Sequence, residues 1–135
     1  MNFFDKFLGR WTTKKNIFIL QYNFKYTYEE QIKIIKKEDT DKLCSYTLQY
    51  NSNQFNLECS NYLFEKKKLL LSNKYDVQKI NESLLKINCK LNNDICYTEY
   101  LHFINNNFNT SVGFIKKNRS YLAAIFTSYI KIYSK

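Results

Sequence analysis

Proline is absent from this chain of 135 residues, and glycine occurs only twice. No Pro/Gly-rich linker, repeat or low-complexity boundary divides it, so residues 1–135 read as a single domain of ordinary size. Histidine occurs once, at His102. The four cysteines, Cys44, Cys59, Cys89 and Cys96, form no CxxC pair and no metal-ligand spacing. A Cys/His metal site is therefore not expected. No run approaches the ~20 apolar residues of a membrane span. Asp5 and Lys6 interrupt the only apolar stretch near the N-terminus, so no secretory signal is expected. Together these absences point to a soluble protein in a reducing compartment, with free, buried thiols.

Aromatic residues make up 18% of the chain, with 12 Tyr and 11 Phe supplying nearly all of them. Such residues favour strands. A chain of this length buries roughly 68–70% of its unfolded surface and needs no disulfide to fold. The net charge is +9, which suits an anionic partner: nucleic acid, a membrane surface or an acidic small molecule. The lysines are scattered, however. Lys14-Lys15, Lys36-Lys37, Lys66-Lys67-Lys68 and Lys116-Lys117 read as solvated strand ends and turns, and no RNA-binding signature accompanies them. Asn, Lys, Ile, Tyr and Phe dominate, all residues of A/T-rich codons. That points to a compact A/T-rich genome such as a plastid's and says nothing about fold.

The pattern along the chain is one of successive strands. Trp11 to Gln21 reads as a long first strand. Gln31 to Ile34 alternates, although Tyr28-Glu29-Glu30 before it is compatible with helix. Tyr46 to Tyr50, Gln54 to Ser60 and Asn61 to Lys66 follow, with a turn at Asn51-Ser52-Asn53 and a buried apolar run over Lys68 to Ser72. Leu85, Ile87, Cys89 and Leu91 keep period two up to a turn at Asn92-Asn93-Asp94. Ile95, Tyr97, Glu99, Leu101 and Phe103 continue the alternation to Asn105-Asn106-Asn107. Thr110 to Lys116 and Tyr121 to Tyr133 complete the series across a Lys117 to Ser120 turn. Many short strands at this spacing predict a sandwich or a barrel.

Ahead of the strands, Phe3, Phe4, Phe7 and Leu8 share one face of a short predicted helix. Gly9 can take the positive φ that ends it, and Trp11 then supplies a ring large enough to plug a barrel floor. This Gly9-Arg10-Trp11 resembles the Gly-x-Trp at the closed end of lipocalin-like barrels, which hold one small ligand inside. If Tyr97, Leu101 and Phe103 face inward, period two turns Glu99 inward as well. A buried carboxylate costs several kcal/mol unless paired or protonated, so Glu99 is a candidate cavity acid. The alternative places Tyr97 and Glu99 on the outer face.

Three C-terminal stretches carry a family resemblance. Glu99-Tyr100-Leu101-His102-Phe103, Asn107-Phe108-Asn109-Thr110-Ser111 and Phe126-Thr127-Ser128-Tyr129-Ile130-Lys131 resemble the Glu-Arg-Ile-Trp-Phe, Arg-Leu-Arg-Thr-Ser and Phe-x-Ser-Glu-Ile-Arg motifs of the S-type phycobiliprotein lyases (CpcS/CpeS), in the same order. Gly9 to Lys15 is similar to that family's Gly-x-Trp-x-Ser-Gln-Arg, and Leu48-Gln49-Tyr50 to its Val-Ser-Trp-like strand. The resemblance covers most of the chain, with a compressed middle.

The resemblance implies an all-β fold: a lipocalin or fatty-acid-binding-protein-like antiparallel barrel with a short N-terminal helix. It implies that a linear tetrapyrrole (a bilin such as phycocyanobilin or phycoerythrobilin) is bound as substrate rather than as a resident cofactor. The bilin is then joined by a thioether to a cysteine of an apo-phycobiliprotein subunit, in a plastid (chloroplast stroma). The nucleophilic thiol belongs to the acceptor, which agrees with the unpatterned cysteines. Homodimers and hetero-complexes both occur in the family. Glu99 takes the position of the motif acid and Lys15 that of the N-terminal arginine, while Tyr50 replaces the aromatic wall residue. Asn107 and Asn109 stand where the motif has arginines, Tyr129 where it has glutamate, and Lys131 where it has the last arginine. Lys131 keeps the charge without the bidentate fork, and an asparagine cannot neutralise a propionate. Lys15, Lys116 or Arg119 would then serve as the cations. Beside the lyase reading stand a barrel that only carries a bilin or fatty acid, and a basic β-domain that binds RNA or protein. The last requires aromatics and lysines together on one outer sheet face.

Overall fold

Alternating apolar and polar residues give a strand two unlike faces, and the fold follows from closing those faces on themselves. The computed structural model describes residues 3–39, 44–50, 53–60, 63–68 and 71–133. Among them are ten strands: β1 (Gly9–Ile19), β2 (Phe24–Asp39), β3 (Cys44–Tyr50), β4 (Asn53–Cys59), β5 (Leu63–Lys68), β6 (Leu71–Asn81), β7 (Leu84–Lys90), β8 (Ile95–Phe103), β9 (Phe108–Lys117) and β10 (Ser120–Ile132). Each pairs antiparallel with the next, and β10 returns to β1 to close the barrel. At about eight strands side chains just fill such an interior or leave room for one small ligand. Ten strands therefore leave space inside.

With so little glycine and no proline, asparagine makes the turns. Asn118 adopts φ 53° between β9 and β10, and Asn23 φ 51° between β1 and β2, a region asparagine tolerates better than most residues. The Asn92 side-chain carbonyl accepts the N–H of Asp94 at 2.8 Å and of Ile95 at 2.9 Å.

The predicted N-terminal helix is a single 3-10 turn, Phe3–Phe7. Gly9 at the start of β1 ends the segment, and short segments favour this tighter form. Gly9 does take a positive φ, 110°. Trp11 is fully buried, and its indole N–H donates to the Phe7 carbonyl at 2.8 Å. The Phe7 ring meets Trp11, Phe103 and Tyr129 at centroid distances of 5.5, 5.4 and 5.3 Å. Asp5 of the same turn accepts the Tyr46 hydroxyl at 2.7 Å and the Lys36 ammonium at 3.0 Å. Aromatic packing and these polar ties seal one end of the barrel.

Several elements depart from the sequence expectation. Tyr28-Glu29-Glu30 is strand within β2, because the segment pairs residue for residue with β1. Lys68 to Ser72 is not one buried run: Lys68 ends β5, Leu71 opens β6 and Ser72 is exposed. Leu69 and Leu70, like Asn51, Ser52 and Asn61, lie outside the described residues. β6 was not anticipated, since between Leu71 and Ile80 only Tyr75 and Val77 interrupt its polar residues. Leu91 is half exposed, beyond the end of β7 at Lys90. Of the cysteines, Cys59 and Cys89 are buried as expected, but Cys96 is exposed on the outward face of β8. The side chain of Cys44 lies outside those described. No helix among the described residues is long and apolar enough to cross a membrane.

β2 is also longer than its neighbour. β3 pairs with it only from Ile32 onward, so Phe24 to Gln31 is bonded to β1 alone among the described residues. Phe24, Tyr26 and Tyr28 form a ladder on that overhang, with centroids 6.0 and 6.4 Å apart.

Because Trp11 has no exposed surface and anchors the sealing turn, Trp11→Ala is expected to cost about 3–5 kcal/mol, the usual range for a large aromatic truncated in a core. Urea unfolding followed by circular dichroism measures this.

Candidate ligand-binding site

Residues of nine strands and the N-terminal turn line a cavity of about 390 Å³. Small-molecule sites span roughly 300–1,000 Å³. The floor is aromatic: Phe3, Phe4 and Phe7 from the turn, beside Phe64 and Tyr75 stacked at 4.4 Å and 6°. Above them the wall turns polar, with Lys15 on β1, Glu30 on β2, Lys66 on β5, Tyr97 and Glu99 on β8 and Tyr129 on β10. Tyr50, at the end of β3, and Tyr28 stand towards the mouth.

Glu99 faces inward, as the alternation of β8 requires. It sits opposite Ile87 on one side and Gly113 on the other. Gly113 is what admits its partner. A Cβ there would stand 2.5 Å from the Tyr97 hydroxyl and 2.8 Å from its ring, so the ring lies over the bare backbone. From that position Tyr97 donates its hydroxyl to Glu99. Enclosure by the wall raises the Glu99 pKa, and Lys15, the Tyr97 hydrogen bond and Lys66 offset part of the rise. Burial, then the Glu99 charge, pushes the Tyr97 and Tyr129 hydroxyls up, and Tyr129 is hydrogen-bonded with Ser111. Burial likewise pushes Tyr75 up to about 12. Lys15 lies 3.9 Å from Glu30. The site therefore holds a carboxyl that keeps its proton to higher pH than an exposed one, with two ammonium groups close enough to act on it.

Of the residues singled out in the sequence, Lys15, Tyr50, Glu99 and Tyr129 line this cavity. Asn107, Asn109 and Lys131 stand at the sealed end instead. Asn107 is in the β8–β9 turn, where its carbonyl accepts the Lys131 N–H at 2.8 Å and its side chain accepts the Tyr133 hydroxyl. Asn109 is 1% exposed, and its side-chain carbonyl accepts the Ile104 N–H at 3.2 Å. The Lys131 ammonium lies 5.7 Å from the Trp11 ring. Lys116 faces outward over Tyr121, at 5.2 Å, and Arg119 lies in the exposed β9–β10 turn. Sequence reasoning missed Lys66 and Tyr75. Period two from Phe64 would have turned Lys66 inward.

Two other surfaces compete with the interior. A larger hollow of about 730 Å³ lies where β2 outruns β3, but Arg10, Thr12, Glu29, Gln31, Lys33 and Gln49 make it polar and open. On the outer face of β8 to β10 and β1, Phe18 meets Phe126 edge-on at 5.7 Å, and Phe114 meets Tyr121 at 5.8 Å and 68°. Lys25 lies over the Phe18 ring and Lys116 over the Tyr121 ring. Two of these four rings, Phe18 and Tyr121, thus already carry a lysine over the ring rather than a free flat face of the kind on which bases stack.

A closed antiparallel barrel with an aromatic floor, a sealed end and an internal carboxyl is a lipocalin-like barrel. The comparisons agree with the motifs. The chain is 27% identical, over 98% of its length and 97% of the other's, to a chromophore lyase CpcS/CpeS homolog of Gracilaria tenuistipitata var. liui. Its fold is similar to the S-type phycobiliprotein lyase CpeS from Guillardia theta, with a TM-score of 0.68 at 11% identity over 98% of this chain and 92% of that one. It is similar too to a protein of unknown function of the DUF3598 family from Nostoc punctiforme, with a TM-score of 0.66 at 8% identity over 98% of this chain and 50% of that one. No family model matches the chain. The chain thus resembles the S-type lyases across nearly its whole length, in sequence and in fold.

A carboxyl whose pKa is raised by folding stabilises the fold fully below its ordinary value, 4.5, and that contribution is lost as pH rises through the raised value. Glu99→Gln removes the loss. The variant is expected to match the unmutated protein near pH 4 and to exceed it at higher pH. The gap should open by up to about 1.4 kcal/mol per pH unit between the two pKa values. Urea unfolding from pH 4 to 8 measures it.

Proposed function

We propose that the chain, folded as a single domain over residues 1–135, binds a linear tetrapyrrole inside the barrel and assists its thioether attachment to a cysteine of a phycobiliprotein subunit. The observation that carries this reading is Glu99: a carboxyl biased towards protonation, held by Tyr97, inside an aromatic-walled cavity with lysines on its walls. A bilin has the complementary chemistry, a long conjugated body and two propionates. Phe64, Tyr75 and Tyr50 offer it apolar contact, and Lys15 offers a cation for a carboxylate. A proton delivered by Glu99 to the pyrrole system makes the ring-A exocyclic double bond electrophilic. The acceptor thiolate adds its electron pair there, and the thioether forms. Tyr129, hydrogen-bonded with Ser111, completes the polar wall. Phycocyanobilin and phycoerythrobilin both meet these requirements. The wealth of residues read from A/T-rich codons supports a plastid as the place of action.

A second reading, a carrier that binds the bilin or a fatty acid without attaching it, is favoured by one feature. Asn107 and Asn109 stand where the resembled motif has arginines, and both are engaged at the sealed end.

Adding a linear tetrapyrrole is expected to quench Trp11 fluorescence and red-shift the bilin band. Affinity no greater than that of an unrelated protein of equal charge removes the bilin from the reading. With an acceptor apoprotein present, zinc-enhanced fluorescence of the covalently labelled product measures attachment. Glu99→Gln is expected to slow it by roughly 10²-fold, the scale of a lost general acid, while binding persists. Labelling no faster than the spontaneous reaction in the unmutated protein selects the carrier. Equal rates with and without the substitution remove the acid role from Glu99.

A further inference from the structure

Lys66, Lys67 and Lys68 look interchangeable along the chain, but β5 divides them between two faces. Lys67 points outward and is satisfied there, 2.9 Å from Glu58 and 3.9 Å from Glu65. Lys66 points inward and lines the cavity. Its ammonium lies 4.3 Å from the Phe55 ring centre and 5.6 Å from that of Tyr50. Among the described residues no carboxylate stands within ion-pair distance of it, and none of its polar contacts is a hydrogen bond. The cavity's other lysine, Lys15, already faces Glu30 at 3.9 Å.

An ammonium withdrawn from water costs free energy unless an anion or hydrogen-bond acceptors replace the water. Ring faces return only part of that. The cost is visible in Lys66 itself, whose pKa is lowered by burial first and by the Lys15 charge second. Glu30 and Glu99 act on it from a distance in the opposite sense. The cavity thus keeps one cation that meets ring faces but no ion-pair or hydrogen-bond partner among the described residues, near the mouth and above an apolar floor.

We propose that Lys66 is a carboxylate-binding residue of the cavity, taking an acid group of the bound ligand beside Tyr50 and Phe55. A ligand seated this way directs its acid towards the mouth and its conjugated or aliphatic body towards Phe64, Tyr75 and the N-terminal turn. The inference rests on the proposed function for the identity of the ligand as a bilin. The carboxylate chemistry itself is shared by a fatty acid.

The experiment compares an acid with its ester. Binding of biliverdin and of its dimethyl ester is titrated by the visible absorption band against the unmutated protein, Lys66→Met and Lys66→Arg. Thermal melts verify that the variants fold. The unmutated protein is expected to prefer the free acid. Lys66→Met should weaken free-acid binding by roughly tenfold, which is about 1.4 kcal/mol, and leave the ester unchanged. Lys66→Arg should restore the preference. Equal weakening of acid and ester by Lys66→Met, or no weakening of either, overturns the proposal. If the unmutated protein binds neither form, the bilin reading fails by itself. The same comparison with palmitate and its methyl ester then decides Lys66: a preference for the acid that Lys66→Met abolishes upholds the proposal, and its absence overturns it.

Discussion

Sealing one end of the barrel is the constraint on which the rest of the interior depends. The Trp11 indole holds the Phe7 carbonyl at 2.8 Å, and Asp5 ties the same turn to Tyr46 and Lys36. With that end packed, the inner wall beside it is withdrawn from water among the described residues. Every charge on the wall is then felt more strongly than it would be at a surface. The raised pKa of Glu99, the lowered pKa of Lys66 and the displaced tyrosine hydroxyls all have burial as their first cause. Aromatic packing at the base thus sets the electrostatics of side chains several residues away.

Gly113 couples backbone to chemistry in the same interior. Most inward positions carry a side chain that fills space. Here its omission lets the Tyr97 ring cross onto β9 and meet Glu99 on its own strand. Residues two apart on one strand face the same way but do not normally touch head to head. The bare backbone supplies the room.

How much of this was legible in the sequence depended on how strictly each strand alternates. β8 reads cleanly because Ile95, Tyr97, Leu101 and Phe103 bracket Glu99, and its inward direction follows. β6 was invisible because Ser72, Asn73, Lys74, Asp76 and Gln78 surround its two inward residues with polarity. Lys66 was hidden by its neighbours, since three lysines in a row suggest a solvated turn, and only the partner strands decide which of them turns in. The motif positions gave order along the chain but not depth in the barrel. Asn107 and Asn109 follow Glu99 closely in sequence, yet the β8–β9 turn carries them to the sealed end, where the Tyr133 hydroxyl and the Ile104 N–H occupy their side-chain carbonyls. The turns expected at Asn92, Asn105 and Asn118 do form, because the short amide satisfies nearby N–H groups or tolerates a positive φ whatever the surrounding fold, whereas Asn53 opens β4.

The overhang of β2 gives the barrel a mechanical grain. Around most of the wall, any widening of the mouth must break ladder hydrogen bonds between adjacent strands. Beside Phe24 to Gln31 there are none to break on the side away from β1, among the described residues. The β1–β2 leaf can therefore part from β3 along that side, hinged on β1, which stays bonded to β10 from Arg10 to Ile19. Resistance to opening is then lowest along one seam, and the Phe24, Tyr26 and Tyr28 rings travel with the leaf that moves. A bulky, stiff molecule would pass along an aromatic slide rather than through a rigid ring.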